Sequence, residues 1–369
     1  MIVSKRLVAL DVLRGMTISF MILVNTPGSW KYVYPPLRHA EWNGCTPTDL
    51  VFPFFLFIVG VSIFFSFKKY QVEISKTSLL KILKRTITIF LLGFLLNLFP
   101  YFDFENVRIM GVLQRIAIAY GLGAVLCLGL KQNKLLFVLG GLLLGYWALL
   151  YFTSGAELYS LEDNIIRRFD LFLLGEKHIY KGFGVPFDPE GLLSTISSVG
   201  TVIIGFLSGK LIGTRTSVIE KTKALSIYGV FLVVLGFVWG IVFPINKALW
   251  TSSYVVYAGG LAMLLLAVLI FIIDYKGYSR WSKPFVHFGT NPLFIFVFSG
   301  LYVKTISYLI KIPMDERAVE ISGYTYLFEF VFSAIAGNMN GSLLFALSHI
   351  VVFWLICYFL FMKKVFIKI

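Results

Sequence analysis

Residues 48–67 read TDLVFPFFLFIVGVSIFFSF, an almost unbroken apolar run whose one charged residue is Asp49. At about 1.5 Å per residue, a helix of that length covers about 30 Å, the thickness of the hydrocarbon core of a bilayer. Apolar on every face, it has no side to offer to water and belongs inside a membrane. Comparable runs recur near residues 7–26, 79–99, 109–130, 134–153, 191–212, 225–245, 250–273, 285–309 and 341–362, which makes ten spans. The expected fold class is therefore all-α, a polytopic membrane helical bundle forming a single transmembrane domain over residues 1–369. An eleventh stretch, Tyr324 to Ala336, is short and carries Glu329, so residues 322–336 are expected to form a re-entrant or interfacial helix.

Composition supports the same class. Hydrophobic residues make up 58% of the chain and charged residues 14%, with 37 Phe, and the mean hydropathy is positive. A net charge of +14 raises the question of nucleic acid, but the Lys and Arg sit in short loops between spans, where they set orientation. Nucleic-acid binding is set aside for that reason. With ten spans the basic loops fall on one side together with both termini, expected to be cytoplasmic, and the acids collect on the other. The loop at about 154–190 then lies outside, and solvation is the expected role for most of its charges. Cys45, Cys127 and Cys357 are far apart and contain no CxxC, so they read as packing residues. No HExxH, GxSxG, Walker A or GxGxxG pattern is present, and no metal is expected.

Polar residues inside or beside the spans carry the chemistry. Asp11, Arg14 and Asn25 fall within about 60° of one face of the first span. This polar stripe ends beside a loop holding His39, Trp42, Asn43 and Asp49. Asn supplies N–H donors for an oxyanion, and His suits general-base work or holding an acyl group. The plainer alternatives are an Asp11–Arg14 ion pair and an Asn that caps its helix. Gln114 and Arg115 place a cation inside the fourth span, where an anionic ligand or a salt bridge to Asp49 or Asp11 must meet it. Asp188 reads as the N-cap of the sixth span, with Glu190 in its first turn, or as a ligand contact. Ser252, Ser253 and Asn291 either face a channel or bond between helices. His287 and His349 read as structural, and His178 as solvated.

Taken in order, LDVLRGMTISFMILVNTPG (10–28), LRHAEWNGCTPTDLVFPFFLFIVGVSI (37–63), RIMGVLQRIAIAYG (108–121), FDPEGLLSTISS (187–198), LWTSSY (249–254) and the terminal KKVFIKI resemble the heparan-α-glucosaminide N-acetyltransferase family, including its bacterial members. The resemblance implies a transmembrane acetyltransferase that takes acetyl-CoA from the cytoplasm and modifies a glucosamine-type acceptor on the opposite face. By motif match, Asn25 and His39 correspond to the catalytic pair. Arg14, Gln114, Arg115, Ser252, Ser253 and Asn291 are the candidate acetyl-CoA contacts. Trp42, Asn43, Asp49, Asp188 and Glu190 are the candidate acceptor contacts. The expected setting is a bacterial inner membrane, with a homodimer admitted as the assembly. An O-acyltransferase of a cell-envelope glycan and a secondary transporter are the alternatives.

Overall fold

The computed structural model describes residues 7–70, 72–153, 157–314 and 319–367. Its helices are α1 (Val8–Asn25), α2 (Val51–Phe67), α3 (Lys76–Leu98), α4 (Val112–Gly129), α5 (Gln132–Thr153), α6 (Ile165–Leu174), α7 (Leu192–Thr214), α8 (Val218–Trp239), α9 (Ser252–Leu269), α10 (Lys283–Thr290), α11 (Pro292–Lys304), α12 (Gly323–Tyr326) and α13 (Ser333–Met362). Among the described residues nine helical segments are long and apolar enough to cross a membrane. The other expected span, α3, has the length but carries Lys81, Lys84 and Arg85. The protein is thus an all-α polytopic bundle, as the sequence predicts. Residues 1–6 and 368–369, which bear part of the charge pattern used to orient the ends, lie outside the described residues.

At the centre, α2 packs on α7, and small residues bring their backbones close. A Cβ at Gly60 would lie 2.0 Å from the Val202 carbonyl oxygen, and one at Gly205 would lie 2.1 Å from that of Phe57. Van der Waals contact at this range is a main source of helix association in lipid, where tails are as apolar as the side chains they replace. Leu56, Phe57, Val61, Val202 and Ile203 are fully or almost fully buried between this pair and its neighbours α4 and α9.

Three local departures from the expected pattern have physical causes. The ninth span is split, because Pro292 opens α11 and leaves Asn291 at φ −131°, ψ 49°, outside the helical region. The Asn291 amide donates to the Val365 carbonyl and its oxygen accepts from the Ile367 N–H, tying the C-terminal segment to the break. Residues 322–336 are helical as expected, through α12 and a wider turn at Leu327–Phe332, and they run on to Gly337. There φ is +71°, a value glycine adopts without a Cβ penalty, and the chain doubles back. The two arms lie so close that a Cβ at Gly341 would sit 2.7 Å from the Phe332 carbonyl. The third departure is a pair of four-residue antiparallel strands, β1 (Lys311–Met314) and β2 (Val319–Ser322), where a loop was expected. Lys304, the last residue of α11, donates to the Leu96 and Phe99 carbonyls at 2.7 Å and so satisfies the open end of α3.

Candidate active site

The loops after α1, α3, α5 and α8 share one end of the bundle. Trp42 Nε1 donates to the Tyr159 carbonyl, His178 Nδ1 pairs with the Val107 carbonyl, and Arg108 grips Asp188. His178 therefore ties two loops together instead of standing solvated. The expected acidic loop is also more ordered than its charges suggest, because it contains α6. Asn164 caps that helix by accepting from the Arg167 N–H.

Within this end lies a cavity of about 150 Å³, lined by Met21, Val24, Asn25, His39, Thr48, Val51, Phe52, Phe55, Val112, Ile116, Glu190, Lys247 and Phe296. Asn25 is the last residue of α1, and capping of that end falls to the Thr26 N–H bonded to the Ile22 carbonyl. The Asn25 amide makes no hydrogen bond among the described residues, so the capping alternative does not hold, and the residue lines the cavity. The structure brings Asn25 and His39 to one place, as the sequence suggested.

His39 is held by its neighbours in the chain. Its Nδ1–H donates to Asp49 Oδ1 at 2.6 Å, with 43% of the imidazole exposed against 2% of the carboxylate. Asp49 Oδ2 meanwhile accepts from the Ala40 N–H, the Thr46 N–H and the Thr46 hydroxyl, each at 3.0 Å. Both oxygens are spent, so Asp49 stands behind His39 and not among acceptor contacts as expected. With Nδ1 committed, Nε2 carries the lone pair, the arrangement a general base needs. Within this loop, burial pushes the Cys45 thiol up to about 12, away from the thiolate form a nucleophile needs.

Lys247, which the sequence reading passed over, completes the cavity. Its Nζ is 3.2 Å from His39 Nδ1, 3.4 Å from Nε2 and 3.8 Å from Asp49 Oδ1, with 21% of the side chain exposed. Burial lowers the ammonium's proton affinity, while Glu190 and Asp49 act against that. Its position is fixed by a tight turn in which Asn246 Oδ1 accepts from the Leu249 N–H and the Asn246 amide donates to Asn43 Oδ1. Asn43 thus braces two loops, and Trp42 stacks edge-on against Phe183 and Phe187.

Behind the cavity, Arg108 bridges Asp188 at 2.6 Å and Glu190 at 2.5 Å. Asp188 is not the N-cap of α7. That service comes from Asp170 of α6, whose Oδ1 accepts from the Leu192 and Leu193 N–H groups. Burial would raise the Glu190 carboxyl, but Arg108 first and then Arg115 and Lys247 hold it below its ordinary value. Arg108→Ala would strand two buried carboxylates, and the expected loss is about 3–5 kcal/mol of stability. Unfolding in detergent checks this, and a loss below about 1 kcal/mol would show the pair to be a surface-like contact.

Asp170 provides a pH signature. Burial, with a contribution from Asp188, raises its carboxyl from 3.8 to about 7 against the opposing Leu193 and Leu192 N–H bonds. The folded protein therefore keeps a proton that the unfolded chain releases, so stability falls as pH rises between those two values. Asp170→Asn keeps the acceptor for α7 and should flatten the decline in melting temperature between about pH 4 and pH 7. An unchanged slope would place the titration elsewhere.

The residues expected to contact acetyl-CoA do not converge. Arg14 donates to Asp11 Oδ1, to the Gly289 carbonyl and to Ser62 Oγ, so the Asp11–Arg14 ion pair exists. Gln114 donates to the Ile109 carbonyl, Ser252 to that of Leu143 and Ser253 to that of Phe243. Ser252 follows the helix-bonding alternative, while Ser253 bonds the turn that precedes α9. Arg115, fully buried, meets neutral partners in place of Asp11 or Asp49: the Gly191 carbonyl at 3.1 Å, Ser194 Oγ, and the Trp250 ring at 4.9 Å. His287 accepts from Trp354 Nε1, and His349 packs between Tyr302 and Phe345, both structural as read. No cluster of three or more metal-ligating side chains occurs among the described residues.

Comparison with known proteins supports the family resemblance. A family model described as heparan-alpha-glucosaminide N-acetyltransferase, catalytic, matches residues 6–161, which include Asn25, His39 and Asp49. The chain is 33% identical over 356 residues to heparan-alpha-glucosaminide N-acetyltransferase of Homo sapiens, covering 79% of this chain and 52% of that protein. Its identity to the Mus musculus protein of the same name is 30% over 372 residues, covering 80% and 53%. The chain spans about half the length of the curated relatives it matches.

Proposed function

From the similarity of the chain to heparan-alpha-glucosaminide N-acetyltransferases over about half their length, we propose that it moves an acetyl group from cytoplasmic acetyl-CoA to the amino group of a glucosamine-type sugar on the opposite face of the membrane. The observation that carries this reading is one cavity holding an uncommitted amide, Asn25, beside a carboxylate-oriented imidazole, His39. Its 150 Å³ is below the roughly 300–1,000 Å³ of pockets for whole ligands, so it fits a reacting end and not a complete coenzyme. The thioester supplies an activated acetyl group. His39 Nε2 accepts the proton as the acceptor nitrogen bonds to the acetyl carbon; the C–S bond then breaks, and the imidazolium returns that proton to the departing coenzyme A thiolate. Asn25 N–H and the Lys247 ammonium donate to the carbonyl oxygen as it gains charge, and Asp49 steadies the imidazolium. Glu190 lines the same cavity with its charge already met by Arg108. Asp49 and Asp188 act from behind.

Mass spectrometry of products tests the reading. Reconstituted protein is given acetyl-CoA on one side and a panel of amino sugars on the other. The expected product is an N-acetyl sugar that survives mild base and forms only when donor and acceptor are on opposite faces. A base-labile product would mean transfer to a hydroxyl, and no product with any amino sugar would remove the proposal.

A further inference from the structure

On the flank of the bundle, α5 and α8 border an open groove of about 820 Å³ floored by α7 and α9. Its walls are apolar: Leu136, Leu144, Tyr228, Phe231 and Leu235 are all exposed there. One end is different. Gln132, Lys210, Thr214 and Arg215 gather at the C-terminal end of α7, the face opposite the active-site mouth. From Gln132 to Leu144 the groove runs about 18 Å at 1.5 Å per residue, close to the half-thickness of a bilayer of about 30 Å.

We propose that this groove binds one anionic phospholipid of the leaflet opposite the mouth, with its headgroup between Lys210 and Arg215 and an acyl chain along α5 and α8. Any acyl chain would cover the apolar walls, but two cations at the headgroup level select a negative lipid. Arg215 gives one N–H to the Leu211 carbonyl at 3.3 Å, and its planar fork has further donors suited to a phosphate. The floor is complete without any additional helix, and at Gly140 a Cβ would meet nothing within 4 Å.

Native mass spectrometry of the full chain in detergent, offered equal phosphatidylglycerol and phosphatidylcholine with identical acyl chains, tests the proposal. Wild type should retain one phosphatidylglycerol with about tenfold preference. In the Lys210→Ala/Arg215→Ala variant the preference should fall to within about twofold of none. Gly140→Phe and Leu144→Trp put bulk into the groove and should each lower retention of both lipids. A charge variant that keeps the preference, or two fillers that retain lipid like wild type, overturns the proposal. So does a wild-type dimer that Gly140→Phe converts to monomer with no lipid lost, because the groove would then hold a second copy of the chain.

Discussion

His39→Ala is expected to lower acetyl transfer by about 10²- to 10⁴-fold, the usual cost of losing a positioned general base. Asp49 orients Nδ1, so Nε2 is held at a fixed angle beside Lys247, and alanine leaves nothing to take the proton. The fold should survive. Asp49 keeps its three donors from Ala40 and Thr46 when the imidazole goes, and the imidazole itself is 43% exposed. Donor affinity should change little, because the cavity holds only a reacting end. Steady-state rates together with acetyl-CoA binding by calorimetry decide the matter. A folded variant that binds donor and turns over near the wild-type rate would leave His39 without a catalytic role.

Lys247→Met should cost about 10² to 10³ in rate, the range seen when one donor to an oxyanion is removed. Methionine fills the same length of cavity without a charge, so lost packing contributes little. Lys247→Arg, which keeps the cation, should recover part of the loss. If Asn25 and Lys247 serve the same oxygen, the double variant Asn25→Ala/Lys247→Met will fall short of the product of the two single effects. The loss should appear in kcat, with KM for the sugar nearly constant. A loss confined to KM would make Lys247 an acceptor contact instead.

Much of the fold was legible because a span announces itself locally: some twenty apolar residues in a row need no partner to be recognised. The Asn25–His39 pairing was legible for a similar reason, since a short loop joins the two. Lys247 was hidden because it stands 208 residues from His39, and a lysine in an outer loop looks like any solvated cation until the neighbouring loop is known. Arg108 illustrates the same limit, meeting Asp188 and Glu190 from 80 and 82 residues away. Asp188 was misread as a cap for a subtler reason. Its spacing before α7 suits one, but the Leu192 and Leu193 N–H groups were already taken by Asp170, a carboxylate on another helix. The split at Asn291 was written in the sequence as Asn-Pro, and the apolar residues around it masked the break.

One carboxylate, Asp49, closes the 39–49 loop on itself and orients the base at its edge. Order in the loop and order in the His39 imidazole are therefore a single event. A chain in which that loop has not closed holds the imidazole at no fixed angle.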